Sequence, residues 1–233
     1  MAKINLPNTL TKEFRAYKGN EKLIDPHLGK QYISYSTISS WEDYRNDFIK
    51  QKIANIELPE SIYSAFGTWV GSSVEHGESQ PNNYGFTGEE NLNLIERQPS
   101  DEYERMILID MGEYVIIGFI DIVRIIVKKN VDILDVKTGG ALKESEYLKE
   151  SYIQTTLYAK ALEDEGYTIN KSGVWFCRRT GSHIKPPLNL SKEQFYIPLA
   201  YNEDRVKYTL AKVKRVVEEI SECYTVYLKY LHN

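Results

Sequence analysis

Two runs decide how this chain is read: residues 114–127, YVIIGFIDIVRIIV, and residues 131–136, VDILDV, separated by Lys128-Lys129-Asn130. Both are dense in β-branched residues and the polar break between them suits a turn, so the pair reads as a β-hairpin. Pairing centred on Lys128 sets Asp121 opposite Asp135, whereas pairing centred on Lys129 sets it opposite Lys137. Either register gathers the three groups, because Asp135 and Lys137 are two apart on a strand and share a face, and opposed Cβ atoms lie roughly 5 Å apart. Two carboxylates that close repel unless a cation neutralises them. Oxygen ligands at this spacing suit Mg²⁺ or Mn²⁺, which keep waters and also accept phosphate oxygens. An amine beside them can orient or deprotonate an attacking water, or stabilise charge on a phosphate in the transition state. The hairpin is thus minimum equipment for metal-assisted phosphodiester cleavage, set against the plainer reading of a solvated cross-strand ion pair.

Working outward, the chain before the hairpin opens with residues 1–32, where Pro7, Gly19, Pro26 and Gly29 among charges read as an irregular arm. Ser36 or Thr37 then offers an N-cap for a helix over 37–53, with Ile38, Trp41, Tyr44 and Phe48 at helical spacing. A second helix is expected from near Ser61 to about Glu78, with Gly67 and Gly71 weakening it or letting it pack closely. Strands follow at about 94–98 and 103–110, with Met111-Gly112 turning into the first run of the hairpin. Beyond Gly139-Gly140 the spacing predicts a helix over 144–165, strands at 172–179 and 194–198, and a long helix at about 202–231. Antiparallel strands followed by a crossover helix into another strand imply an α/β fold, a mixed central β-sheet flanked by helices.

Composition narrows the function. Of 233 residues, 42% are hydrophobic and 27% charged, and no apolar run approaches the roughly 20 residues that span a bilayer. The N-terminal residues lack an apolar signal core, which points to a cytoplasmic protein with no membrane partner. A net charge of −4 argues against nonspecific coating of nucleic acid, although a local basic groove stays open through Arg178 and Arg179 beside Trp175 and Phe176. The basic run Lys207, Lys212, Lys214 and Arg215 reads more simply as a solvated helix face. With Cys177 and Cys223 as the only cysteines, a disulfide scaffold, a four-cysteine zinc site and a cysteine-held iron–sulfur cluster are excluded.

Gly118-Phe119-Ile120-Asp121, then Asp135-Val136-Lys137-Thr138, then Gln154-Thr155-Thr156-Leu157-Tyr158-Ala159 occur in that order, with Gln154 and Tyr158 four apart on one helical face. In these motifs, over about residues 60–180, the chain resembles the PD-(D/E)XK nuclease superfamily and within it the RecB, Cas4 and phage-exonuclease branch. The resemblance implies a restriction-endonuclease-like αβββαβ core over 59–200, with a helical arm or cap over 1–58 and a C-terminal helix over 201–233 packed on the core. It implies that Asp121 and Asp135 bind the metal, that the Val136 carbonyl adds a ligand and that Lys137 is the catalytic lysine. Gln154 and Tyr158 would contact the substrate strand or tune that lysine, with Thr138 and Arg178 as further substrate-binding candidates. The Ser36–Tyr44 segment is similar to the serine-rich opening common in this branch.

Two departures stand out. Members that hold an iron–sulfur cluster do so with four cysteines, which this chain lacks. The branch also carries a glycine-led stretch reaching a metal-binding histidine, with a glutamate four residues beyond; here Phe66-Gly67-Thr68-Trp69-Val70 matches the lead, Gly71 stands at the histidine's place, and Glu75 follows with His76 next to it. Adjacent helical residues point about 100° apart, so the two do not aim at one metal; register favours Glu75 and ligand chemistry favours His76. The expectation is a Mg²⁺- or Mn²⁺-dependent DNA nuclease, an exonuclease acting on single- or double-stranded ends in phage or bacterial recombination or repair. Tyr35, Trp41 and Tyr44 would offer a stacking surface, and a homo-oligomer or recombination-protein partner is compatible. The rival readings are a catalytically silent nuclease-fold subunit and a restriction-type endonuclease.

Overall fold

Hydrogen bonding turns the two β-rich runs into the centre of a sheet, and the rest of the chain is arranged around them. The structure, a computed structural model, describes residues 4–11, 30–182 and 187–232. In chain order it contains β1 (Gln31–Ser34), α1 (Tyr35–Asp43), α2 (Arg45–Phe48) running into a π-helical turn (Ile49–Ile53), α3 (Ile62–His76), a 3-10 turn (Glu89–Leu94), β2 (Asp101–Asp110), β3 (Tyr114–Val127) and β4 (Asn130–Gly139). Then come α4 (Glu144–Leu148), α5 (Gln154–Asp164), β5 (Thr168–Thr180), β6 (Asn189–Pro198) and α6 (Glu203–Leu231). The strands form one six-stranded sheet in the order β1-β3-β4-β5-β6, with β2 also paired to β3. β1–β3 and β4–β5 are parallel while β3–β4 and β5–β6 are antiparallel, so this is the mixed α/β sheet expected, and α3, β2, β3, β4, α5, β5 supply the αβββαβ order. Among the described residues no helix is long and apolar enough to cross a membrane.

Four local expectations change. The four residues of β1 are too few to display alternation, yet they form a parallel strand from Gln31↔Tyr114 to Ser34↔Ile117. That strand moves the helix start back, so the cap is Ser34, whose hydroxyl accepts the Thr37 N–H at 3.1 Å, rather than Ser36 or Thr37. No strand forms at 94–98, where the Glu96 carbonyl accepts a hydrogen bond from the Arg124 guanidinium at 2.6 Å. The helix expected over 144–165 breaks into α4 and α5, because Arg205 donates to the carbonyls of Lys149 (3.0 Å) and Tyr152 (3.2 Å) in the intervening segment.

The chain divides into two compact units, one holding the described residues of Met1–Pro59, Leu108–Gly118 and Lys207–Asn233, the other Glu60–Ile107 and Phe119–Val206. In the first, the Trp41 indole donates to Glu219 at 2.8 Å, and Lys212 and Arg215 both reach the Glu42 carboxylate at 2.6 Å. Trp41 is buried with its ring edge-on to Phe48 at 5.4 Å, so it is core and not part of a stacking surface. In the second unit Ser61 caps α3 by accepting the Ser64 N–H at 3.0 Å, and Gly77, at φ +75°, ends the helix in the left-handed conformation that glycine adopts without steric cost. Phe66, Trp69, Val70 and Val74 of α3 form one apolar cluster with Ile122 of β3 and Leu134 of β4. Each such fully buried side chain contributes roughly 1.5–3 kcal/mol, which fixes α3 against that face of the hairpin.

Candidate active site

The β3–β4 ladder runs from Ile122↔Leu134 to Val127↔Asn130, with an irregularity between Ile125 and Val127. One rung beyond Ile122↔Leu134, the same register sets Asp121 opposite Asp135, which is the pairing centred on Lys128. Strand alternation then sorts the two faces. Ile122 and Leu134 point to α3, while Asp121 and Asp135 point to the other face, where the Tyr152, Gln154 and Tyr158 side chains gather.

Asp135 is fully buried, and its Oδ2 receives both the Tyr152 hydroxyl at 2.7 Å and the Lys137 ammonium at 2.7 Å. Lys137 keeps 31% of its side chain open to solvent, so its amine faces outward from a buried anchor. Asp121 Oδ2 accepts the Val136 N–H at 2.5 Å, a side-chain bond made just past the last ladder rung. On α5 the Gln154 amide donates to the Tyr158 hydroxyl at 2.7 Å, and the Tyr152 hydroxyl lies 3.3 Å from Gln154 Oε1. Hydrogen bonds therefore join Lys137 and Tyr152 to Asp135 and Gln154 to Tyr158, and the single Tyr152 proton serves Asp135, its nearer acceptor, with Gln154 Oε1 alongside.

The electrostatics are unresolved in a way that points to a cation. Burial, followed by the Asp135 charge, pushes the Asp121 carboxyl up to about 7, against the opposing pull of Lys137 and the Val136 N–H. Asp121 keeps part of its surface open even though its carboxyl lies deep among protein atoms. Burial also drives the Tyr158 hydroxyl well above its ordinary value, with the charges of Asp135, Asp121 and Glu104 adding to it, so Tyr158 acts as a neutral donor. Asp135 Oδ1 is buried and has no hydrogen-bond partner. An enclosed carboxylate oxygen without a donor, beside a second carboxyl held up by like charge, fits a hard divalent ion.

The other expected residues fall into two groups. Thr138 lies close to α3, where a Cβ on Gly67 would sit 3.5 Å from its hydroxyl, and Arg178, opposite Gly139 across β4–β5, pairs with Glu193 at 2.5 Å. Both border the strand ends that carry the acids. The apolar residues of α3 pack on the Ile122–Leu134 face, and the exposed His76 ring bonds back to the Ser72 carbonyl at 2.8 Å. Among the described residues no group of three His, Cys, Asp or Glu side chains is disposed to hold a metal. Sequence reasoning missed Tyr152, which belongs to no motif and lies in the break between α4 and α5. It also missed Tyr147, whose ring meets Tyr152 edge-on at 5.2 Å.

A family model of the PD-(D/E)XK nuclease superfamily matches residues 41–226, which includes every site residue above. The chain belongs to the PD-(D/E)XK nuclease superfamily. Nucleases of this superfamily typically use divalent metals such as Mg²⁺ or Mn²⁺, in keeping with the donor set at Asp121 and Asp135. Among solved structures, that of a "Putative exonuclease" from Eubacterium rectale is similar at 14% identity and a TM-score of 0.53, covering 86% of this chain and 87% of that one. That of SSO0001 aligns at 15% identity and a TM-score of 0.40, covering 87% of this chain and 85% of that one. No curated protein sequence matches the chain. At 14% identity the likeness to the Eubacterium rectale structure is one of fold, and the PD-(D/E)XK assignment rests on the family match.

Proposed function

We propose that this PD-(D/E)XK protein is a Mg²⁺- or Mn²⁺-dependent deoxyribonuclease of the RecB/Cas4-like phage-exonuclease branch, hydrolysing DNA from its ends in recombination or repair. The observation that carries the reading is the Asp121–Asp135 pair with the Lys137 amine 2.7 Å from Asp135 and an Asp135 oxygen left without a donor. Asp121, Asp135 and the Val136 carbonyl would hold the metal. A bound divalent ion supplies Lewis acidity and lowers the pKa of a coordinated water. The chain's own contribution is then positional and electrostatic. Lys137 orients the attacking water and offsets the negative charge that grows on the phosphate. Tyr152 fixes the Asp135 carboxylate so that the amine it anchors is held at one place. Gln154 and Tyr158 present neutral polar groups to the scissile strand, and Thr138 and Arg178 flank its path, Arg178 exchanging Glu193 for a phosphate. The kinship in fold with an exonuclease-named structure supports the exonuclease reading.

The test is incubation with end-labelled single-stranded, blunt and circular DNA in Mn²⁺ or in EDTA. Loss of label from linear substrates in Mn²⁺ alone is the expected result. Cleavage of closed circles would replace the exonuclease reading with an endonuclease, and full activity of purified Asp121→Ala would sink the proposed site.

A further inference from the structure

The strand ends beyond Lys137 carry an arginine and an aromatic ring that the site so far leaves unused. Three residues after Lys137 comes the exposed Gly140, at most roughly 10 Å further along an extended chain. A Cβ placed on Gly140 would lie 3.9 Å from Arg179 Nη2, so the guanidinium reaches across from β5 to the end of β4. The same guanidinium lies 4.1 Å from the centre of the Tyr63 ring, and Tyr63 stands in the first turn of α3 with 42% of its surface exposed. Gly67 follows one helical turn along, and a Cβ there would sit 3.5 Å from Thr138 Oγ1. The helix thus comes up to the strand end with no side chain of its own at that point.

Alternation sends the two neighbouring arginines to opposite sides of this edge. Arg178 is in register with Gly139, two residues on from Lys137, so it shares the face of the acids, and Glu193 pairs with it at 2.5 Å. Arg179 turns to the α3 face and rests on Tyr63. Among the described residues no carboxylate pairs with Arg179: burial strips solvent from its guanidinium, and the group that offsets this is Tyr63. The simplest role for the contact would be a clamp between α3 and β5. Yet α3 is already held by Phe66, Trp69 and Val70 in the core, and the Tyr63 ring is left half open to solvent. Flat aromatic and guanidinium surfaces of this kind are what an unpaired nucleobase stacks on, and every base offers a π-face to them.

We propose that Tyr63 and Arg179 form a stacking platform for an unpaired base of the DNA strand that passes over Lys137, so that the protein engages its substrate as single strand. This rests on the nuclease reading above. Gly140 stands beyond Lys137 by about the rise of three stacked nucleotides at roughly 3.4 Å each, so the base on the platform lies a few nucleotides from the bond that is cut. A strand laid across the ends of β4 and β5 meets Lys137 and Arg178 on one side and the Tyr63–Arg179 pair on the other. A duplex keeps its bases paired within the helix and gains nothing from the platform.

The experiment is fluorescence anisotropy of the full chain with a labelled single-stranded oligonucleotide and with a blunt duplex of the same sequence, in EDTA so that cleavage plays no part. Tyr63→Leu keeps an apolar side chain of good helix propensity and removes the π-face, whereas Tyr63→Phe keeps the face and removes only the hydroxyl. Single-strand affinity is expected to fall about tenfold in Tyr63→Leu and several-fold in Arg179→Ala. It is expected to stay near wild type in Tyr63→Phe and in Tyr230→Ala, a change at an exposed tyrosine of α6, and Tyr63→Leu should leave duplex affinity unchanged. A clamp that only held α3 would lower the melting temperature of Tyr63→Leu and spare its DNA affinity. Arg179→Ala, which leaves α3 untouched, decides the matter if Tyr63→Leu does not fold. Wild-type single-strand affinity in the folded variant, or an equal loss on the duplex, overturns the platform and leaves the nuclease reading standing. A wild-type chain that binds no single strand overturns it as well. If that chain also fails to cleave DNA in Mn²⁺, the nuclease reading falls with it.

Discussion

Strand β3 carries two charged partnerships three residues apart, and they are built on opposite terms. At Arg124 the guanidinium donates twice to Asp101, both at 2.9 Å, and the Asp101 side chain is fully enclosed. Burial alone would raise that carboxyl, yet the bonds from Arg124 and the Gln98 N–H, with Tyr103, bring it below its ordinary value. At Asp121 the same kind of burial meets a second carboxylate instead of a guanidinium, and the carboxyl is pushed up to about 7. One partnership is complete within the protein and the other is not. The difference teaches where to look for function: a buried charge that the fold has satisfied holds strands together, and one left unsatisfied is kept for a ligand.

The largest effect should come from breaking the unsatisfied side at its amine. Lys137→Ala removes the ammonium that pairs with Asp135, and cleavage of linear DNA in Mn²⁺ is expected to fall on the order of 10²–10⁴-fold with the melting temperature little changed. Single-turnover rates with labelled DNA measure this. A rate within a factor of about three of wild type would remove Lys137 from the chemistry.

Breaking the satisfied side should do the reverse. Arg124→Ala leaves Asp101 buried without its guanidinium, which costs roughly 3 kcal/mol of stability, while folded molecules keep their metal-dependent cleavage. Urea titration followed by activity per folded molecule separates the two. Loss of activity with stability unchanged would erase the contrast between the two partnerships.

A third change converts one side towards the other. Asp121 has a folded pKa of about 7 against an ordinary 3.8, so the folded chain binds its proton more tightly than the unfolded chain. The stability this gives is fully present below about 4 and is lost as pH rises through about 7. Asp121→Asn keeps an oxygen for the Val136 N–H and removes the charge, so in EDTA at pH 8 it should raise stability on the order of 2 kcal/mol while ending cleavage. Thermal melts between pH 4 and 8 provide the check. Parallel curves for the two proteins would mean that Asp121 stands near its ordinary value.

Much of this contrast was legible in the sequence, for identifiable reasons. The β-branched runs and the Lys128-Lys129 break specify a hairpin, and strand alternation alone gathers Asp121, Asp135 and Lys137, which the register confirms as the pairing centred on Lys128. Gln154 and Tyr158 were visible because helical spacing puts residues four apart on one face. The failures were tertiary. β1 has four residues and no alternation to read, and the α4–α5 break depends on Arg205, more than fifty positions from the Lys149 and Tyr152 carbonyls it holds. The choice between Glu75 and His76 stays open in the sequence, because it turns on which face of the hairpin α3 covers. Which face a helix covers is decided by packing, here by Phe66, Val70 and Val74 on Ile122 and Leu134, and no local spacing contains that.

Tyr152 gives the finest test, because it joins the unsatisfied partnership to α5. Its hydroxyl donates to Asp135 Oδ2 at 2.7 Å, the same oxygen that anchors Lys137. If the two donors share the work of holding that carboxylate, removing the hydroxyl loosens the amine without removing it. Tyr152→Phe keeps the ring that Tyr147 meets edge-on at 5.2 Å and deletes only the oxygen. A hydrogen bond to a charged acceptor is worth roughly 1.5 kcal/mol, so the cleavage rate should fall about tenfold at saturating DNA while the KM for DNA stays constant. A merely structural role would lower the melting temperature and leave the rate of folded enzyme untouched. Adding Lys137→Ala to Tyr152→Phe should then cost little more than Lys137→Ala alone, because a carboxylate that no longer anchors an amine gains nothing from being held.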